Sequence, residues 1–266
     1  LIACVQQTKI EKTVMLTTNT ERMVLDRRTL GSIDEWLEQA RTVGAIALID
    51  KEETWTSFDC VAKVRNMSRI KRVGHAGTLD PLATGLLVLC FGKATKDIAS
   101  LQDDIKVYDV DILLGATSTT DDRGGDEEQH ACEPVDNDAV IAALEQFLGV
   151  IQQTPPAFSA IRHQGKRQYD LAREGKEFTP KVREVTVHSI TDVVVQWPHV
   201  QCRITCSKGT YIRSIARDLG LALDCGGYVW TLRRVRSGGF AVDAALTVGE
   251  IRDALTKDAL PNEAAS

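Results

Sequence analysis

The chain has 266 residues, 43% apolar and 26% charged, with 19 Gly and 7 Pro, enough for one large domain or two small ones around an ample core. That composition excludes a disordered or collagen-like chain, and no apolar run approaches the roughly 20 residues that span a bilayer. The formal charge, 32 basic against 37 acidic residues for a net of −5, argues mildly against a polyanionic partner until its distribution is considered. The seven cysteines at 4, 60, 90, 132, 202, 206 and 225 are odd in number and scattered, which fits a reducing compartment and not a disulfide framework. Cys202 and Cys206 alternate with Ile204 in a strand-like stretch, no second Cys/His pair stands at zinc-site spacing, and no metal is predicted.

In chain order, residues 1–43 carry six basic and six acidic residues and no secretory apolar region; they resemble neither a signal nor an acid-poor transit peptide. Residues 1–31 read as a tail, with Met15 or Met23 as alternative starts, and ordered structure is predicted from near Gly44. Ala45–Ile49 forms a short buried strand ending at Asp50. Ser57 is a candidate N-cap for a helix from Phe58 to about Ser68. A glycine-punctuated loop, Val73 to Pro81, precedes a buried strand Leu86–Cys90. Tyr108, Val110, Ile112 and Leu114 alternate with Asp109 and Asp111 as in a half-buried strand. Residues 136–148 form an amphipathic helix, runs 185–196 and 200–206 meet in a hairpin at Trp197-Pro198-His199, and a helix covers about 211–223. Strands and helices mix without strict alternation, which favours an α+β fold.

The charge is uneven. Residues 61–72 hold Lys63, Arg65, Arg69, Lys71 and Arg72 with no acid. Residues 162–183 have seven basic and three acidic residues, and 203–236 seven and two, whereas 102–138 carry twelve acids against Lys106 and Arg123. Three basic stretches flanking one cleft suit a polyanion, because such binding depends on local Lys/Arg placement.

Asp80-Pro81 alone fits a helix N-cap followed by proline at the first helical position. Gly74, Gly77 and Gly85 permit tight turns or close approach of a ligand to the backbone, but they match neither a Walker A loop nor a dinucleotide fingerprint. The whole phrase Gly74-His75-Ala76-Gly77-Thr78-Leu79-Asp80-Pro81-Leu82-Ala83-Thr84-Gly85 closely resembles the signature of the TruB-type tRNA pseudouridine synthases. Further resemblances follow in the family's order: Lys106-Val107-Tyr108, Gly115 to Asp121, Pro155 to Ala160 and on to Gly175, Ser207 to Ser214, and Leu232-Arg233-Arg234. Together they span about residues 44–255, or 212 of 266.

The resemblance implies a mixed, mainly antiparallel sheet flanked by helices, and conversion of uridine to pseudouridine in the T-arm of tRNA. That reaction breaks N1–C1′ and joins C5 to C1′ without redox change, so no cofactor is expected. The resemblance assigns the catalytic carboxylate, which attacks as a nucleophile or stabilises positive charge at C1′, to Asp80. It makes Arg213 the partner that aims it, Tyr108 the residue that stacks on the base and takes the C5 proton, and Tyr211 a second pocket tyrosine. The resemblance also places His75 where the flipped base leaves its stack. Lys63, Arg65, Arg69, Lys71, Arg72, Arg162, Lys166, Arg167 and Lys208 are then candidate RNA contacts. On their own pattern, Tyr108 and Tyr211 fit core packing equally well, and Arg213 a phosphate contact.

The expected organisation is an N-terminal extension at 1–43, a catalytic domain at 44–255 with an RNA-gripping insertion at about 152–183, and a tail at 256–266. No small C-terminal RNA-binding domain is expected after it. A cytoplasmic protein with tRNA as partner, no membrane and no obligatory protein partner is expected. The family's Lys-Pro-x-Gly turn after the first strand reads Asp50-Lys51-Glu52-Glu53-Thr54-Trp55-Thr56-Ser57 here, losing Pro and Gly and carrying two acids. That departure motivates an alternative, a catalytically weak RNA-binding or RNA-folding protein on the same scaffold. A small-molecule enzyme using the glycine loop is a third reading.

Overall fold

Two runs, Ala45–Lys51 (β2) and Thr84–Phe91 (β4), are apolar at nearly every position because both faces of their strands are covered. In β2, Ala45, Ala47 and Ile49 face one core while Ile46 and Leu48 face another; in β4, Leu87, Leu89 and Phe91 alternate likewise with Leu86, Val88 and Cys90. The computed structural model describes residues 22–158 and 181–257, with the backbone alone at 162–163 and 166–167.

The remaining strands are β1 (Val24–Leu25), β3 (Val73–His75), β5 (Lys106–Leu114), β6 (Ala116–Ser118), β7 (Glu127–Gln129), β8 (Gly149–Gln153), β9 (Arg162–His163), β10 (Lys166–Arg167), β11 (Arg183–Gln196), β12 (His199–Cys206), β13 (Gly227–Ser237) and β14 (Phe240–Ala241). The main sheet runs β1-β2-β4-β13-β5-β12-β11-β8, with β3 added to β4 and β14 to β13. Among the described strands of this sheet, β1–β2 and β4–β13 pair in parallel and the other pairs are antiparallel. The expected mixed, mainly antiparallel sheet is therefore present.

Helices α1 (Ile33–Thr42), α2 (Ser57–Ser68) and α6 (Val248–Lys257) cover the β2–β4 half, and α4 (Asn137–Glu145) and α5 (Ile212–Ala222) cover the β5–β12–β11 half; α3 (Ile98–Gln102) is short. In β5, Val110, Ile112 and Leu114 enter the second core while Asp109 and Asp111 point away. Cys202, Ile204 and Cys206 pack in that same core, so the cysteine pair is structural.

Ordered structure begins before Gly44, contrary to the sequence reading. Ile33, Trp36, Leu37 and Ala40 lie on one helical stripe and are buried. Trp36 is fully buried, donates Nε1–H to the Ile46 carbonyl at 2.7 Å, and meets Phe91 edge-on at 4.8 Å. The N-cap of α2 is Thr56 instead of Ser57: Thr56 and Asp59 form a reciprocal capping box. Ser57 turns inward, where its hydroxyl donates to the Leu79 carbonyl at 3.1 Å and accepts from the Leu79 amide at 2.8 Å. This ties α2 to the loop that carries Asp80.

Because Trp36 closes the first core, Trp36→Ala is expected to destabilise the protein by about 3–5 kcal/mol. Urea unfolding would show a lower midpoint at unchanged slope; a loss below about 1 kcal/mol would mean that α1 is dispensable to the core.

Candidate active site

Asp80 sits on a loop between β3 and β4 that is held at several points. The Ala76 amide donates to the Val88 carbonyl at 2.9 Å, and Thr54 N–H donates to the Pro81 carbonyl at 2.9 Å. Lys51, fully buried, donates from Nζ to the carbonyls of Glu52 at 2.9 Å, Trp55 at 2.6 Å and Pro81 at 3.0 Å. Asp80-Pro81 starts no helix; the Ala83 amide returns to the Asp80 carbonyl at 3.1 Å and closes a turn that leads into β4. Gly85, φ +95°, admits not a ligand but the chain itself: a Cβ there would stand 2.3 Å from the Arg234 carbonyl oxygen.

The Asp80 carboxylate is partly exposed and paired with Arg213, which is 5% exposed. Arg213 Nη2 donates to Oδ1 at 3.2 Å, and Nε lies within ion-pair distance of Oδ2 at 3.0 Å without a hydrogen bond to it. Its other bonds fix the guanidinium in place: Nη1 to the Thr120 carbonyl at 2.9 Å and Nη2 to the Phe158 carbonyl at 2.9 Å. Asp122 Oδ2 lies 3.9 Å from Nε, a second carboxylate at the same cation. One turn along α5, Arg217 bonds Asp121 at 3.1 Å and the Thr154 carbonyl at 2.9 Å, and Ser214 also bonds Thr154.

Asp80, Tyr108, Tyr211 and Arg213 line one cavity of about 810 Å³. Lys106, Lys181, Arg183, Lys208 and Arg234 supply its positive lining. Tyr108 is half-buried, and burial pushes its phenol above the ordinary value. Lys106 binds the carbonyls of Leu101, Gln102 and Asp104, and burial pushes its ammonium down to about 8. Tyr211 is clamped through its backbone by Gln153, whose Oε1 accepts from the Tyr211 amide at 2.7 Å and whose Nε2 donates to its carbonyl at 3.0 Å. The Arg183 guanidinium lies over the Tyr211 ring at 5.7 Å. Lys208 pairs with Asp103 at 2.7 Å.

The other candidate residues lie elsewhere. Lys63, Arg69, Lys71 and Arg72 are exposed and Arg65 is half-exposed, all on α2 and the turn after it, outside the cavity lining. His75 is half-buried on β3, and burial with the nearby Arg234 cation holds its imidazole below the ordinary range. Arg162, Lys166 and Arg167 belong to the small β9–β10 ribbon, and their side chains lie outside the described residues. Arg183, Arg234, Asp122 and Gln153 were not singled out as site residues from sequence. Arg234 had a signal, the Leu232-Arg233-Arg234 motif, but its partners come from other strands.

Comparison with known proteins follows the same residues. The family model described as TruB family pseudouridylate synthase (N terminal domain) matches residues 65–212. A second, described as tRNA pseudouridylate synthase B C-terminal domain, matches 213–264. That second segment supplies α5, β13, β14 and α6, so it is woven into the main sheet. The chain is 45% identical over 215 residues to the tRNA pseudouridine synthase B of Thermobifida fusca, covering 77% of this chain and 73% of that protein. It is 43% identical over 223 residues to the protein of the same name from Cupriavidus metallidurans, covering 83% and 71%. Among solved structures it resembles one chain of a Cbf5-Nop10-Gar1 complex with a TM-score of 0.66 and 27% identity, covering 84% of this chain and 59% of that one.

Two measurements test this construction. Lys106 has its pKa lowered on folding, so between about 8 and the ordinary 10.5 unfolding takes up a proton and its contribution to stability rises with pH. The difference in unfolding free energy between the native protein and Lys106→Met is therefore expected to grow across that window; a flat difference would show that the ammonium is not desolvated. Thr54, an exposed β-branched residue, is held at φ +72°. Thr54→Gly is expected to stabilise the protein by about 1 kcal/mol, seen as a higher urea midpoint.

Proposed function

The chain belongs to the TruB family of pseudouridylate synthases, and from that premise we propose that it acts on the T-arm of tRNA, with Asp80 as its catalytic carboxylate. The enzyme is an isomerase that converts uridine to pseudouridine in tRNA. The observation that carries the assignment of Asp80 is its carboxylate, hydrogen-bonded and ion-paired to the buried Arg213 at the cavity that Tyr108 also lines.

The chemistry follows from those groups. A target base inside a folded RNA arm must leave its stack to enter the cavity. Asp80 meets C1′, either as a nucleophile or as the anion that stabilises positive charge while N1–C1′ breaks. The base turns, C5 bonds to C1′, the C5 proton leaves to Tyr108, and N1 gains a proton. Arg213 keeps Asp80 from rotating away, and its bonds to the Thr120 and Phe158 carbonyls keep the guanidinium itself from following the carboxylate. The basic lining, with the exposed cations of α2, holds phosphates and positions the RNA without reading its bases. A tRNA substrate supports a cytoplasmic protein; no described helix is long and apolar enough to cross a membrane.

The reading of a catalytically weak RNA-binding protein is not favoured, because Asp80, Tyr108 and Arg213 line one cavity despite the altered 50–57 loop. Pseudouridine formation on an unmodified tRNA transcript, and on its isolated T-arm stem-loop, tests the proposal. The native protein is expected to form product on both, and Asp80→Asn to lose roughly a thousandfold or more in rate while still binding RNA. Product from Asp80→Asn at the native rate would remove Asp80 from the mechanism, and product on tRNA at a uridine outside the T-arm would overturn the substrate assignment.

A further inference from the structure

Arg234 is 1% exposed, and among the described residues it has no carboxylate within ion-pair distance. A buried cation without a counter-ion is costly, so its surroundings must use it. On β13 it stands opposite Tyr108 of β5 on one side and Gly85 of β4 on the other. Its Nε donates to the Leu86 carbonyl at 2.7 Å and its Nη2 to the Gly77 carbonyl at 3.1 Å, at the start of the Asp80 loop. Tyr108 and Arg234 are directly paired across the β5–β13 interface and both line the cavity that Asp80 lines. Arg234 thus stands beside the strand of the base while its side chain ties the strand after the carboxylate to the loop that carries it.

We propose that Arg234 is a positioning residue for this reaction, fixing the Tyr108 oxygen in the cavity and stabilising, as an unpaired cation, the negative charge that oxygen carries when it acts as a base. The inference rests on the isomerisation proposed above with Tyr108 as proton acceptor. In that step the C5–H electron pair returns to the ring, the proton goes to the Tyr108 phenolate, and N1 takes one proton from solvent. The phenol then returns its proton to solvent, so no net proton is consumed.

The charged and titratable groups around Tyr108 leave this task to Arg234. Asp80, on the catalytic loop, opposes the phenolate, and so does burial. On β12, the Cys206 thiol is pushed up to about 12 and stays neutral. On its own strand, Lys106 is bound to three carbonyls and pushed down to about 8. His75 on β3, beside Arg234, is held in its neutral form near neutral pH by burial and by that cation. Arg213 is engaged by Asp80.

The test is the pH dependence of single-turnover pseudouridine formation by the native protein, Arg234→Lys and Arg234→Gln, with each fold checked by urea unfolding. Arg234→Gln is expected to displace the rising limb upward by about one pH unit, a loss of about tenfold below it. Arg234→Lys keeps a cation for the carbonyls but, lacking the fork, is expected to shift the limb by less. Should the glutamine variant not fold, the lysine variant decides alone. A second readout needs no activity: NMR titration of ring-labelled tyrosine, with Tyr108 assigned by Tyr108→Phe among the four tyrosines. Its titration should move upward in the order native, Lys, Gln. A limb and a resonance that stay in place while the rate falls would reduce Arg234 to a structural tie and overturn the proposal. If the native protein makes no pseudouridine, the isomerase reading fails, and the resonance still decides whether Arg234 governs Tyr108.

Discussion

The parallel contact between β4 and β13 at Gly85 and Arg234 is the constraint on which the rest of the site depends. A side chain at Gly85 would collide with Arg234 backbone atoms, so the two strands meet only because position 85 has none. That contact lets β13, a strand from the last part of the chain, enter between β4 and β5 and join two half-sheets with separate cores. Asp80 lies just before β4, Tyr108 on β5, and Arg213 on the helix that packs against β13. The cavity therefore opens along the seam, and Asp80, Tyr108 and Arg213 converge there from three separate segments. Separating residues 213–264 from the rest would remove both the central strand and the guanidinium that aims Asp80.

The electrostatics of the seam explain how a chain of net charge −5 offers a polyanion a site. Lys51, Lys106 and Arg234 are all buried, and each is satisfied mainly by backbone carbonyls. Carbonyl dipoles meet the hydrogen-bonding demand of a cation without cancelling its charge, as a carboxylate would. Elsewhere acids and bases pair on the surface, as in Arg203 with Asp109 and Arg27 with Glu250. Surface pairs of that kind are screened by salt, whereas charge fixed at a low-dielectric cavity wall is not. The excess of acid in the sequence and a positive cavity are thus compatible.

What sequence made legible was local. The alternation in β5, the two-sided apolar runs of β2 and β4 and the β11–β12 hairpin all appear within a few residues of their predicted bounds, because strand period and burial are written in neighbouring residues. Helix α1 carried the same kind of signal, with Ile33, Trp36, Leu37 and Ala40 on one stripe. It lies ahead of Gly44, where the sequence reading sets the start of ordered structure, and its charged residues belong to the exposed face. Asp80-Pro81 misled as a helix start because the residues that favour an N-cap also favour a tight turn, and only the return bond from Ala83 distinguishes them. The pairing of Arg234 with both Tyr108 and Gly85 was not legible at all: it is fixed by strand register across two interfaces, each joining residues more than a hundred positions apart.

The altered turn after β2 shows how the scaffold absorbs a local conflict. Thr54 lies in this altered turn, and it keeps a positive φ that costs a β-branched residue of order 1–3 kcal/mol. The three carbonyls bound by Lys51 and the bond from Thr54 N–H to Pro81 over-determine the turn, so it cannot relax without freeing buried polar groups. The added acids are also placed outward: Glu52 and Glu53 are exposed, and Glu53 is neutralised by Arg123, which also lies 5.8 Å from the Trp230 ring. Because Lys51 reaches Pro81 directly, the shape of the turn is what sets the position of the residue before it, Asp80.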